Sequence, residues 1–418
     1  MPVITGKHRL PGQFWVLWTA TLVNRAGGFV IVFLTIYLTT QRGFSASAAG
    51  LVVGLYGVGG AIGVTAGGYL ADHWGRRPAA LLALGSSSVF MLVLGLVRGP
   101  VAITVAAMLL GMAAEAARPA LAAMIADIVP SGERMRAFST YYWAINLGFA
   151  ISAIVAGFAA NAGYFALFAG DAATTAAAAL LIAWRIRETR PSVEHAREHE
   201  GSSSQTGRGG GIRTILRDRV FLGFVACNLL IALVMLQHLS MLPLAMISDG
   251  LSTRTYGLVI ALNGILIVAG QMGVSRVLAN RRPALVMPVS AVVIGVGFGL
   301  TAFAHTPIAY AGTVLVWTAG EMLNAPSNAA LVAGLSPVAM RGRYQGAFGL
   351  SWQVASFLAP TLGGAVRESD HGGNTALWLS CLGATLVAAA WSLLSAPARE
   401  RRVAALATAA EENALVKI

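Results

Sequence analysis

At an offset of 207 residues the chain reads itself back. Gly50-Leu51-Val52-Val53-Gly54-Leu55-Tyr56-Gly57 returns as Gly257-Leu258-Val259-Ile260-Ala261-Leu262-Asn263-Gly264. At the same offset Pro119, Pro130 and Arg136 fall on Pro326, Pro337 and Arg343, Asn146 falls on Gln353, and Gly157 on Gly364. Arg76-Arg77-Pro78-Ala79 matches Arg281-Arg282-Pro283-Ala284 two residues out of step, a slip that belongs in a loop. Solenoid repeats recur every 20–50 residues or so. A repeat of half the chain is instead the duplication of a whole domain.

Composition sets the surroundings. Hydrophobic residues make up 56% and charged residues 11%, where soluble domains carry about 25% charged. Apolar runs long enough for a bilayer, roughly 17–25 residues, lie near 12–38, 48–70, 79–97, 100–126, 137–160 and 163–184. The second half supplies 219–247, 256–277, 284–304, 308–334, 344–365 and 374–395. A soluble helical protein needs polar helix faces, which these runs lack. The expected fold is all-α and membrane-embedded, with twelve transmembrane helices (spans 1–12) in two six-helix halves related in parallel. The expected division is 1–184 for the N-terminal half, 185–218 for a linker, 219–395 for the C-terminal half and 396–418 for a tail. The linker is charged and then Ser/Gly-rich, which predicts a flexible cytoplasmic connection; its His195 and His199 read as solvated side chains. The tail, with an Arg cluster before Glu411-Glu412, is expected to form a short interfacial helix.

The net charge of +12 raises nucleic acid as a partner, and its placement excludes it. With the N-terminus inside, 23 Lys and Arg fall in inside segments and four outside, namely Arg42, Arg98, Arg254 and Arg367. That is the positive-inside bias, with both termini cytoplasmic. Lys7, His8 and Arg9 precede a run that passes residue 30 with no cleavage site, so it is expected to stay as span 1. Cys227 and Cys381 lie far apart inside apolar runs and give no disulfide or metal framework.

Between spans 2 and 3, Gly59 to Pro78 reads GGAIGVTAGGYLADHWGRRP. Gly59, Gly68, Asp72, Gly75, Arg76 and Arg77 resemble the loop signature of the major facilitator superfamily, with His73 where the family usually has Arg or Lys. Together with the run EAARPALAAMIAD from Glu115 to Asp127, this is similar to the twelve-helix drug:proton antiporter branch. Gly59 and Gly68 are expected to let span 2 pack closely on a neighbour. The resemblance implies a cytoplasmic conformational latch made of Gly68, Asp72, Gly75, Arg76, Arg77 and Asp127. The second copy, VLANRRPA, has Asn280 and neither Asp nor Gly, so its latch should be weaker.

A charge inside a membrane helix is costly and marks a functional hypothesis. Arg25 lies at mid-depth in span 1, Glu115 and Arg118 near the middle of span 4, and Glu321 near the middle of span 10. The resemblance places spans 1, 4, 7 and 10 around a central cavity, which makes these four the proton-coupling candidates. Glu115 and Arg118, three apart, share a helix face and could simply neutralise each other. Asp171 in span 6 reads as a packing residue. In span 5, Asn146 to Gly157 carries Ser152 and Ala153 where antiporters of the family typically show Gly-Pro; span 11 keeps Pro360, Gly363 and Gly364. Candidate substrate-binding residues are Asn24, Tyr142, Asn146, Asn228, Gln237, His238, Asn263, Trp317, Asn324 and Gln353. They describe a mixed cavity suited to amphipathic or weakly basic molecules.

The sequence therefore predicts a secondary active transporter and not an enzyme: proton-coupled efflux of small amphipathic organic compounds or drugs by alternating access. The alternatives are a proton-coupled solute or peptide importer, or a lipid-translocating or sensor member of the same fold. Asn24-Arg25 lacks the glutamates that peptide symporters usually carry in span 1. No GxxxxGK[ST] loop indicates an ATP-driven pump. The expected partners are a small-molecule substrate, protons and the lipid bilayer, with no cofactor, no metal and no nucleic acid. The expected setting is a bacterial-type inner or plasma membrane, with the chain as a monomer.

Overall fold

The computed structural model describes residues 10–130, 133–159, 163–189, 212–278, 281–337, 340–369 and 373–415. Among these the chain is helical, with no strand. A bilayer core offers no water to backbone groups, so a spanning segment must bond to itself along its own axis. Ten helices among the described residues are long and apolar enough to cross a membrane. Two more, at spans 10 and 11, are 29 and 28 residues long but are not among the ten. Lys7, Arg9, His195, His199 and Asn280 lie outside the described residues.

Span 1 is the first departure from a plain helix. It runs as α1 (Gly12–Ala26), a break at Gly27–Gly28, α2 (Phe29–Ile36) and a π turn over Tyr37–Gln41. A Cβ on Gly27 would lie 1.7 Å from Thr174 Oγ1, so the break is pressed against span 6. Next come α3 (Ala46–His73), α4 (Arg76–Leu96), α5 (Pro100–Ile128), α6 (Arg134–Ala159) and α7 (Tyr164–Arg185).

The helices of spans 2 and 4 meet backbone to backbone. A Cβ on Gly59, Gly63 or Gly67 would lie 1.9–2.1 Å from the carbonyl oxygen of Met108, Met112 or Ala116, and one on Gly111 would lie 2.0 Å from that of Tyr56. Only hydrogen fits at such a seam. This corrects the sequence reading in one respect. Gly59 belongs to the stripe, but Gly68 faces away from it, with only Pro119 Cβ near, at 3.9 Å. The close packing falls at four-residue spacing, one helical face, and Gly68 is one position off that face.

The second half opens with a short helix α8 (Ile212–Arg217), in the stretch read as linker, and α9 (Arg219–Met235), capped by Asp218, which accepts from the Phe221 N–H at 3.1 Å. Span 7 is interrupted like span 1: α10 (Gln237–Ser240) and α11 (Leu242–Ser248) follow turns at Leu236 and Met241. Then come α12 (Thr253–Leu278), α13 (Pro283–Leu300), α14 (Pro307–Leu335), α15 (Arg341–Glu368) and α16 (Gly373–Leu415). The tail is not a separate interfacial helix up to residue 415: α16 runs on through Pro397 for 43 residues. Arg399 explains the continuity. It is fully buried and donates to the Ser392 carbonyl and hydroxyl, the Ser395 hydroxyl and the Ala284 carbonyl.

By its packing the chain forms two units, residues through Phe33 with Leu55–Arg197, and Leu34–Gly54 with Glu198 onward. The sequence repeat divides at the linker, whereas packing also assigns Leu34–Gly54 to the second unit. A Cβ on Gly50 would lie 2.1 Å from the Pro360 carbonyl oxygen, the same kind of glycine seam.

Candidate functional site

The first unit encloses a cavity of about 80 Å³ whose walls include Asn24, Arg25, Tyr56, Glu115, Arg118, Tyr141, Asp171 and Thr175. That volume holds a few waters. It is far below the roughly 300–1,000 Å³ of a pocket for a drug-sized ligand, so it suits protons and water better than a whole organic substrate. Three of the four proton-coupling candidates meet in it. Arg118 Nη1 pairs with Glu115 Oε2 at 2.7 Å, so the mutual neutralisation raised from the sequence does occur in this state. The Glu115 side chain is 18% exposed and that of Arg118 57%; the acid is the more buried partner. The Arg25 side chain, among the described residues, has no ion-pair or hydrogen-bond partner. It is held against span 5, where a Cβ on Gly148 would lie 2.5 Å from Arg25 Cβ.

Asp171, read from the sequence as a packing or domain-internal residue, takes on a second position. It is a cavity wall as well as a packing residue, and its Oδ2 accepts from the Val30 N–H at 3.1 Å. Ser152, the departure in span 5, donates to the Gly28 carbonyl at 3.1 Å. Both ends of the span 1 break are thus bonded by side chains of neighbouring helices. The consecutive glycines at 27 and 28 carried a signal for the break, but nothing in the sequence paired them with Ser152 or Asp171.

Glu321 sits in the second unit on α14, half-buried. Its Oε2 accepts from Asn263 Nδ2 at 2.7 Å, and the same amide reaches Thr318 Oγ1 at 3.1 Å. Among the described residues Glu321 has no cation within ion-pair distance. Asn263 and Tyr56 are repeat partners at the 207 offset, and each faces the site of its own half's glutamate. At that offset Gly27–Gly28 fall on Val234–Met235, directly before the turn at Leu236. Interruptions at matching places in two repeats point to where ligands bind in transporters.

The remaining substrate candidates separate into groups. Asn24 lines the cavity and donates to Thr175 Oγ1 at 3.3 Å. Tyr142 is exposed, and buried Asn146 donates back to its carbonyl at 3.0 Å. Trp317 is buried, with its ring near those of His238 and Phe298. Asn228 donates to Ser351 and accepts from Asn328, Gln237 donates to the Ala359 carbonyl, and Asn324 accepts from Ser290. These three buried polar side chains bind helices to one another, each with a partner, as burial demands. Gln353 is half-buried on α15.

Of the residues read as a latch, Asp72, Arg76 and Asp127 form one charge cluster. Arg76 lies 3.3 Å from both Asp72 and Asp127, and Arg77 Nη2 donates to the Ala183 carbonyl at 2.6 Å. The sequence reading missed Glu188, which accepts from the Arg76 and Arg77 backbone N–H groups at 2.9 and 3.1 Å. It caps α4 where the exposed N–H groups attract an anion. Gly75 sits there at φ +115°, and a Cβ on it would lie 2.5 Å from Glu188 Oε2. Asp72 is 70% exposed and Asp127 22%, so Asp127 should be the stronger partner. Asp127→Asn should slow turnover about two- to fivefold, more than Asp72→Asn, with little change in KM. Stopped-flow transport in reconstituted variants checks the order of effects.

Comparison with known proteins places this arrangement. The Major Facilitator Superfamily family model matches residues 17–360. A Na(+), Li(+), K(+)/H(+) antiporter of Planococcus maritimus is 25% identical over 381 residues, 85% of this chain and 87% of that one. The uncharacterized MFS-type transporter YttB of Bacillus subtilis is 26% identical over 92% of this chain and 95% of its own. A crystal structure of a POT family transporter with a thioalcohol-conjugated peptide superposes with TM-score 0.76, at 16% identity over 93% of this chain and 97% of that one, which shows the fold. The apolar helices, the duplicated halves and the matched family agree: the chain belongs to the Major Facilitator Superfamily, an integral membrane secondary transporter and not an enzyme.

Proposed function

We propose that the chain is a proton-coupled antiporter that exports small amphipathic or weakly basic organic compounds by alternating access. The observation that carries this is Glu321: a membrane carboxylate whose hydrogen-bond partner is the neutral Asn263 amide. An amide offers both donors and an acceptor. Asn263 can therefore serve Glu321 ionised or protonated, and no ion pair has to break when the proton arrives. Proton uptake removes the negative charge that a cationic substrate needs, so proton and substrate displace each other. Glu115 differs, because its proton must compete with Arg118. We assign Glu321 as the proton carrier and the Glu115–Arg118–Arg25 group as the charge network of the first half, in a bacterial-type plasma membrane with both termini cytoplasmic.

A second reading, monovalent cation/proton antiport, is favoured by the Planococcus relative. Everted vesicles separate these readings from import. With the interior acidified, ethidium should accumulate inside; accumulation of Na⁺ or K⁺ without ethidium supports the second reading. Uptake of neither cation, with accumulation only under an acid exterior, contradicts export. Arg118→Ala should move the pH dependence of transport, with Arg118→Lys recovering part of it because lysine restores the charge without the planar fork. A purely structural pair would instead lower yield and leave the profile in place.

A further inference from the structure

Among the described residues, the mechanism above leaves one buried acid unused. Asp171 on α7 is 3% exposed, and it fastens the break in span 1 on both sides. Beyond the break, its Oδ2 takes the Val30 N–H at the start of α2, at 3.1 Å. Before the break, Thr175 Oγ1 donates to Asp171 Oδ1 at 3.5 Å and accepts from Asn24 at 3.3 Å. The residue after Asn24 is Arg25, whose positive charge acts on Asp171 from across the same cavity. Ser152 holds the intervening Gly28 carbonyl. Gly27 and Gly28 interrupt the helical ladder here, so these side-chain bonds are what join the two segments.

We propose that Asp171 is a proton-operated clasp on the span 1 break, a positioning residue that sets where Arg25 stands relative to Glu115. The proposal rests on the reading of this chain as proton-coupled. The step is a protonation: a proton from cavity water adds to Asp171 Oδ2, and the carboxylate becomes a neutral carboxyl. The charge-assisted bond from Val30 weakens to a neutral one. The new O–H also needs an acceptor, which an N–H cannot be. The start of α2 loosens, and α1, with Asn24 and Arg25, is free to shift. Deprotonation draws the two segments together again. A static helix cap would make the same bonds, but its protonation would leave α1 in place and the pH profile of transport unchanged.

Other groups facing the cavity could produce a pH response and must be separated. From α1 it is Arg25, from α3 Tyr56, from α5 Glu115 and Arg118, and from α6 Tyr141; α4 contributes Ser87 and α2 no titratable group. Glu115 is the competitor.

The test is hydrogen–deuterium exchange on the full chain in nanodiscs, corrected for intrinsic rates, at residues 28–34 between about pH 5 and 8. It needs no substrate, so it fails separately from the antiport reading. In the wild type, protection of this segment should fall about tenfold on acidification. Asp171→Asn should be weakly protected at every pH, Asp171→Glu should keep a smaller pH step, and Glu115→Gln should keep the wild-type step. Transport by Asp171→Asn should show a flattened pH profile at little-changed KM. A pH-independent wild type overturns the proposal, as does a step that survives in Asp171→Asn or vanishes in Glu115→Gln. If Asp171→Asn does not fold, the wild-type titration with Asp171→Glu and Glu115→Gln still decides.

Discussion

Glu321→Gln is expected to reduce pH-gradient-driven transport by roughly a hundredfold, the low end of what a positioned proton-transfer group contributes. Folding and insertion should be unaffected. Glutamine keeps an oxygen where Asn263 Nδ2 now donates at 2.7 Å, so the bond between α12 and α14 survives while the exchangeable proton is gone. Exchange of substrate between two sides at equal pH should persist, since it needs no net proton movement. Glu115→Gln should be milder for coupling and harsher for stability, because it leaves Arg118 without the carboxylate it pairs with at 2.7 Å. Transport assayed with and without a pH gradient separates the two effects. Proton-driven transport that survives in both variants would remove these carboxylates from the mechanism.

The second large effect is on folding. Gly63→Val should cost folded protein altogether or, in what survives, lower stability by about 1–3 kcal/mol or more. Its Cβ would lie 2.0 Å from the Met112 carbonyl oxygen, and backbone cannot swing aside as a side chain can. Moving α3 off α5 would also open the contacts at Gly59, Gly67 and Gly111. Gly68→Ala is the control. Its nearest neighbour is 3.9 Å away, so thermal unfolding should change by no more than about 0.5 kcal/mol, even though Gly68 belongs to the family signature. If Gly63→Val unfolded like the wild type, the backbone seam would not be a principal contact of the first unit.

The contrast between Gly63 and Gly68 shows where sequence reasoning reached and where it stopped. Apolar length and the 207-residue repeat are properties of whole segments, so they pointed to the fold class without any contact being known, while the family was implied by the resemblance of the loop from Gly59 to Arg77. Asp72, Arg76 and Asp127 were legible because a spaced motif names residues that meet. Glu115 and Arg118 were legible because three residues along a helix fix a shared face. Asn263 was suspected only as a cavity residue, since its link to Glu321 spans 58 positions between two helices and no local pattern encodes it. Glu188, and the backbone partners of Ser152 and Asp171, went unread for the same reason. Each matters through a backbone group on another helix, and a backbone group carries no letter in the sequence. The tail misled in a different way: its polar letters suggested a new element, while buried Arg399 carries one helix through Pro397.

The central claim is that one chain exchanges protons for substrate through Glu321. The direct measurement uses purified protein in liposomes that enclose a pH-sensitive dye, with no imposed pH gradient. Ethidium, and separately NaCl or KCl, is added outside. The account predicts that ethidium entering through the protein drives protons out, so the interior becomes alkaline, and that Glu321→Gln abolishes this signal. Alkalinisation with Na⁺ or K⁺ but not ethidium would keep the antiport and change the substrate. Acidification of the interior on substrate entry, or substrate entry with no dye response in the wild type, would contradict it.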